Sequence, residues 1–173
     1  MYKPNLSQWD IFISASWKQR GRVRVLANQL RNRGFSVYDF TDSRCRRTPE
    51  IPPEAFPEEF DPKIHDYAGH LARLSSLRAA VDENREALDN CRLVALLLPC
   101  GLDSQADWAY AVGAGKRSVV VGHPPAGERS PDHLWADAIV PDEAALFAWL
   151  VEHLPVAAAG LHARRAPQGG PGA

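Results

Sequence analysis

Short apolar runs alternate with stretches of helical period along most of this chain. The first run, "WDIFISAS" at residues 9–16, is apolar at its centre and ends in hydroxyls. That is the pattern of a buried strand opening into a polar loop. Next, Val23, Leu26, Ala27 and Leu30 recur at i, i+3, i+4 and i+7, one face of a helix, and Gly34 stands where such a helix stops. A second strand is predicted over "FSVYDF" (35–40). "RLVALLLP" (92–99) is apolar on both faces, as a central parallel strand is. A helix is expected from near Ser104 to the Gly-Ala-Gly of 113–115, then a fourth strand over "RSVVVGH" (117–123) and a short fifth over "DAIV" (137–140). The closing helix is predicted over "DEAALFAWLVEHL" (142–154), with Asp142 as its N-cap.

Three stretches are less regular. Residues 41–63 hold five prolines and no period. A loop that long inside a compact domain is either a functional flap or a disordered insertion. From about 64 to 90 the pattern is helical, with Leu74, Leu77, Val81 and Leu88 on one stripe and Asn84 among them. A polar residue there ordinarily marks the rim of the packed face. Residues 156–173 are small and rich in Gly and Pro, and are expected to form a disordered tail behind a single domain over 1–155.

The predicted order of elements is β-α-β-(loop, α)-β-α-β-α-β-α. It implies a flavodoxin-like or Rossmann-like α/β fold: an open parallel sheet of about five strands with helices on both faces. Such sheets bind ligands outside the carboxyl ends of the strands, where the strand order switches. Four places qualify: Ser14 to Trp17, Tyr38 to Phe40, Pro99 to Asp107, and the segment after His123.

Composition narrows the class. The chain has 173 residues, 45% hydrophobic and 24% charged, with a formal net charge of −1. That balance carries no electrostatic footprint for a nucleic-acid polymer. The arginines at 44, 46 and 47 are followed by glutamates and read as a solvated loop. Three cysteines (Cys45, Cys91, Cys100) in irregular spacing fit neither a disulfide framework nor a zinc site, and suit a reducing, cytoplasmic setting. No apolar run reaches membrane-spanning length, and the N-terminus does not read as a secretory leader. His65 and His70, five apart, are wrongly spaced for metal ligation from one helical face. No metal, cofactor or membrane partner is expected.

The strand ends carry hydroxyl, carboxylate and aromatic side chains. Ser14, Ser16 and Trp17 end the first strand, Tyr38, Asp39 and Phe40 the second, Cys100 and Gly101 the third. Hydroxyls and carboxylates suit a sugar, and aromatics suit a flat ring. Cys100 is either a nucleophile or a small buried residue. "GAGKRS" is similar to the end of a phosphate loop, but Tyr110 and Arg117 stand where that motif needs Gly and Ser or Thr. Asp107, in "SQADWAYAVGAGK", has two readings. With Ser104 three residues before it, it completes a capping box. Alternatively, a carboxylate in the first turn, held ionised by the helix N-terminus, is a nucleophile or stabilises an oxocarbenium ion beside an anomeric carbon.

"IFISASW", "GFSVYDF", "LVALLLPCG", the acid that follows and "AVGAGK" together resemble the nucleoside 2-deoxyribosyltransferase-like superfamily. That superfamily includes nucleotide N-glycosidases and is structurally akin to TIR domains. The resemblance covers most of residues 10–150. It implies cleavage or transfer of an N-glycosidic bond, with Asp107 where the family places a nucleophilic glutamate. Ala109 stands where the family has Gly, and Asp is one methylene shorter than Glu. The resemblance also implies that Asn84, with Asp82 nearby, takes the place of a family acid that contacts the base. Ser14, Ser16 and Trp17 would line the phosphate or sugar side, with Cys100 and Gly101 beside them, and Tyr38 and Asp39 would face the base or sugar. The implied partner is a nucleoside, nucleotide or NAD-like small molecule, and the implied assembly is a homodimer or higher homo-oligomer. Two other readings stay open: a nucleotide-binding module with weakened catalysis, and a TIR-like module that cleaves or senses NAD.

Overall fold

The computed structural model describes residues 9–43, 45, 66, 68 and 75–155, with the side chains of 75–77 excepted. The predicted flap, apart from 41–43 and 45, and the predicted tail lie outside the described residues, as do His65 and His70.

Strand β1 (Trp9–Ser14) ends before the predicted boundary at 16. The Ser14 hydroxyl donates to the Ser104 carbonyl at 2.9 Å, and Ser16 caps a 3₁₀ turn (Trp17–Gln19) by accepting the Lys18 N–H. Helix α1 (Arg20–Asn32) buries Val23, Leu26, Ala27 and Leu30, the stripe read from the sequence. Gly34, at φ 92°, closes it: the Gly34 N–H bonds the Arg31 carbonyl and the Phe35 N–H bonds that of Leu30. This is the paired C-terminal arrangement that a left-handed residue permits.

Strand β2 (Val37–Tyr38) is much shorter than the predicted 35–40. The Asp10 carboxylate takes the Ser36 N–H, and Asp39 takes the Thr41 N–H, both at 2.8 Å, so side chains rather than ladder partners satisfy the backbone there. Helix α2 is described over Ser75–Asp89, the C-terminal part of the predicted 64–90 helix. Among its described side chains, Ala80, Glu83, Ala87 and Leu88 are buried, whereas Val81 is 60% exposed. The predicted stripe is therefore corrected at Val81. Asn84 accepts a hydrogen bond from Tyr38, and Ala80, Glu83 and Ala87 on the neighbouring stripe face inward.

Strand β3 (Cys91–Leu97) stops short of 99, because the Leu98 and Pro99 carbonyls accept from α1-side groups instead. Helix α3 (Leu102–Gly113) follows, then β4 (Arg117–Val121), a 3₁₀ turn (Pro131–Trp135), β5 (Ala138–Val140) and α4 (Glu143–His153). Asp142 caps α4 as predicted, accepting the Ala145 N–H at 2.8 Å.

The five strands are all parallel, in the order β2-β1-β3-β4-β5. One face of the sheet packs Ile11, Ile13, Leu93, Ala95 and Leu97 against α1 and α4. The other packs Phe12, Tyr38, Val94 and Leu96 against Ala87 and Leu88 of α2 and Trp108 of α3. This is an open α/β fold of the flavodoxin-like or Rossmann-like kind. The chain leaves β1 toward one edge and β3 toward the other, so the order switches between them and opens a crevice at their carboxyl ends. Among the described residues, no helix is long and apolar enough to cross a membrane.

Candidate functional site

The crevice between the β1 and β3 loops is spanned by a side-chain network. The Gln19 amide donates to the Leu97 and Pro99 carbonyls. Arg22, one turn on, donates to the Gln19 Oε1 at 2.8 Å, the Leu98 carbonyl at 2.6 Å and the Glu143 Oε1 at 2.5 Å. Gly122 ends β4 at φ 96°, and a Cβ there would stand 3.1 Å from the same Leu98 carbonyl, so only glycine fits without displacing it. Neither Gln19 nor Arg22 is visible in the sequence as more than a polar position on a basic helix.

Ser14 is buried and its hydroxyl is committed to the start of α3, while Ser16 is committed to its turn. Trp17 is 39% exposed and tilts on Phe40 with ring centroids 5.5 Å apart, leaving an aromatic surface at the mouth of the crevice. Gly101 is the N-cap of α3, in extended backbone and with open space about it, so nothing there demands a glycine.

The structure overturns the predicted capping box. Helix α3 begins at Leu102, Ser104 is inside it, and the acid in its first turn is Asp103. Asp107 lies in the second turn. It makes no hydrogen bond or ion pair among the described residues. Burial, reinforced by the Asp103 charge, pushes its carboxyl up to about 6. The reading in which the helix end holds Asp107 ionised is corrected with it: the macrodipole acts within the first turn, and desolvation outweighs it here.

Asp107 sits on the flank of α3 that faces α2. Tyr110, one turn further, bonds Asp89 of α2 at 2.6 Å and lies under the Arg85 guanidinium at 5.0 Å. On the same face of the sheet, Tyr38 donates to the Asn84 Oδ1 at 2.8 Å. Tyr38, Asn84 and Asp107 are thus brought to one side. Asp82 points away, exposed and paired with Arg78, and the buried acid of α2 is Glu83. Removing the Tyr38 hydroxyl (Tyr38→Phe) is expected to cost about 1 kcal/mol, read as a lower urea midpoint at unchanged slope.

Asp39 does not join them. Successive residues of an extended chain face opposite ways, and Asp39 turns to α1, 3.8 Å from the Arg31 guanidinium. Cys100 lies on the other flank of α3 from Asp107. Its thiol donates to the Gln105 Oε1 at 3.6 Å, and His133 meets that oxygen at 3.2 Å while standing edge-on to Trp108. Burial, then Glu128, pushes the Cys100 thiol up, and burial pushes the His133 imidazole down against Asp132. Both groups are neutral at pH 7, and one amide oxygen contacts both, so they do not form a thiolate–imidazolium pair. Among the described residues, no cluster of three His, Cys, Asp or Glu side chains is placed to hold a metal.

Fold and site together define an open, flavodoxin-like α/β protein with a carboxyl, unpaired among the described residues, beside the seam of α2 and α3. No family model matches the chain, and a search of the curated proteins finds no match.

Proposed function

We propose that this protein cleaves or transfers the N-glycosidic bond of a nucleoside or nucleotide, with Asp107 as the nucleophile. One observation carries the reading. Asp107 is a half-buried carboxyl with no hydrogen-bond or ionic partner among the described residues, on the helix that follows the central strand. An acid with a purely structural role is ordinarily paired, because burying it alone costs free energy. In the proposed step, a carboxylate oxygen bonds to the sugar C1 as the C1–N bond breaks. The bond pair leaves with the base, which takes up a proton. Water, or the nitrogen of a second base, then attacks C1 and releases the carboxylate. Asn84, held by Tyr38, contacts the base, and Ser16, Trp17 and Gly101 border the sugar or phosphate. The resemblance read from the sequence adds assembly as a homodimer or larger homo-oligomer, which light scattering of the full chain tests.

Chromatography of nucleosides, nucleotides and NAD incubated with the protein tests the activity, with Asp107→Asn as control. Base release that the substitution abolishes supports the proposal. Release that survives it removes Asp107 from the chemistry. A second reading, a nucleotide-binding module with weak turnover, is favoured by the Trp17 ring, 39% exposed at the mouth of the crevice where a base can stack. Tight binding without base release would select it, and nicotinamide release from NAD would select the TIR-like alternative.

A further inference from the structure

On the α1 face, at the β2 edge of the sheet, two buried polar atoms lack hydrogen bonds. Asp39 is fully buried; its Oδ1 accepts the Thr41 N–H, but its Oδ2 accepts no hydrogen bond. The Thr41 hydroxyl is buried and unpaired as well. The Arg31 guanidinium stands 3.8 Å from the Asp39 Oδ2, beyond hydrogen-bond reach, and is already engaged with Asp42 at 3.3 Å, the Val37 carbonyl at 3.1 Å and the Cys45 sulfur at 3.4 Å. Asp39 and Thr41 belong to a cleft of about 220 Å³, walled on the helix side by Arg24 and Asn28. Arg24 is exposed and makes no hydrogen bond or ion pair among the described residues.

Buried polar atoms without a hydrogen bond are rare in native folds and call for an explanation. We propose that this cleft is a second binding site, distinct from the Asp107 side, which takes a ribosyl phosphate, free or as part of a nucleotide. Sugar hydroxyls donate to the Asp39 Oδ2 and exchange a hydrogen bond with the Thr41 hydroxyl, and the phosphate pairs with Arg24. The chemistry follows from the groups. A carboxylate oxygen accepts only donors, and a hydroxyl does both, so adjacent sugar hydroxyls satisfy the two together. An ammonium group is the poorer match, because Arg31 already supplies the counter-charge to Asp39 and Asp42. The Arg24 guanidinium, without a partner among the described residues, presents a fork of donors that a phosphate accepts. The position agrees: dinucleotide-binding sheets place the acid that takes ribose hydroxyls after the second strand. The cleft suits one sugar ring with its phosphate, not a whole dinucleotide.

Calorimetric titration of the full chain with ribose 5-phosphate, ribose, inorganic phosphate and AMP tests this. Ribose 5-phosphate is expected to bind about tenfold or more tighter than ribose or phosphate alone. Thr41→Val removes an unpaired hydroxyl at constant shape, so the unliganded fold should melt no lower; it should weaken ribose 5-phosphate and ribose alike by about tenfold. Arg24→Ala, on the surface, should weaken ribose 5-phosphate by about tenfold and spare ribose. Glu152→Ala, on the exposed face of α4, should leave every affinity unchanged. Tighter binding of AMP than of ribose 5-phosphate, weakened by Thr41→Val and Arg24→Ala, would make the nucleotide the source of the group, and the reverse the free sugar phosphate. The proposal is overturned if ribose 5-phosphate does not bind, if Thr41→Val and Arg24→Ala bind it as the parent does, or if Asp107→Asn abolishes binding and so moves the ligand to the other face.

Discussion

Asp107→Asn is expected to abolish base release and, in the same molecule, to stabilise the fold at pH 8 while leaving it unchanged at pH 4. The carboxyl is pushed from 3.8 up to about 6, first by burial and then by the Asp103 charge. The folded state therefore holds this proton more tightly than the unfolded chain. The stability it contributes is complete below about pH 4 and is lost as pH rises through about 6. Asparagine has the shape of the protonated acid and cannot lose that proton, so the variant keeps what the parent gives up. The full shift corresponds to about 3 kcal/mol, and partial solvation of the side chain brings the expected gain at pH 8 to about 1–3 kcal/mol. For a chain of this size that raises the melting temperature by about 2–4 °C per kcal/mol. Thermal melts at the two pH values give the difference. A parent and variant that differ equally at both would show that Asp107 is not a desolvated acid.

The same shift sets the pH profile of the proposed reaction. A nucleophilic carboxylate has to be ionised, so kcat/KM should rise with pH through about 6 and level off above it. Loss of the nucleophile should lower turnover by at least about 100-fold. Asp103→Asn removes the nearby like charge and should move the inflection to lower pH with little loss of rate at pH 8. An acid kept for a cap would show none of this. Under the proposed function Asp107 is a position where stability is given up, as reactive groups in preorganised sites commonly require.

Much of the scaffold was legible because local rules and tertiary packing agree. The α1 stripe at Val23, Leu26, Ala27 and Leu30 is buried on one face, Gly34 closes that helix, and Asp142 opens α4. The start of α3 was less legible because Gly101 caps it without a side-chain bond, so Ser104 competed as a false start. Val81 fits the helical period of α2, but the helix packs on the sheet through Ala87 and Leu88 and bonds Tyr38 through Asn84, which leaves Val81 turned out. Asp39 follows Tyr38 in the chain yet faces the other side of the sheet, which decides that one lies on the Asp107 side and the other over α1. Glu83 is a buried acid beside Asn84, and in the sequence nothing separates it from the exposed Asp82. Periodicity reads which face is covered; it does not read which long polar side chain reaches across to another element.

Arg22 shows the limit most sharply, and removing it carries the second large effect. Its guanidinium ties α1 to Glu143 of α4, 121 residues away, and to the Leu98 carbonyl at the end of β3, while holding Gln19 in place. No spacing rule links those positions. Arg22→Ala leaves a carboxylate, a carbonyl and an amide short of partners at a site where the two charged side chains are only 32% and 30% exposed. Water replaces part of what is lost, so the expected cost is about 2–3 kcal/mol, seen as a lower urea midpoint with unchanged slope. Arg22→Lys keeps the charge but loses the planar fork that serves three acceptors at once, and should recover less than half of the loss. Arg22→Ala combined with Glu143→Ala should cost less than the two single substitutions summed, because each alone strands the other. If the three variants prove additive, the bridge is a surface pair of little consequence. If they couple, the Gln19 amide is held over the crevice by this network, and the variants that lose it should bind nucleosides more weakly as well as fold less stably.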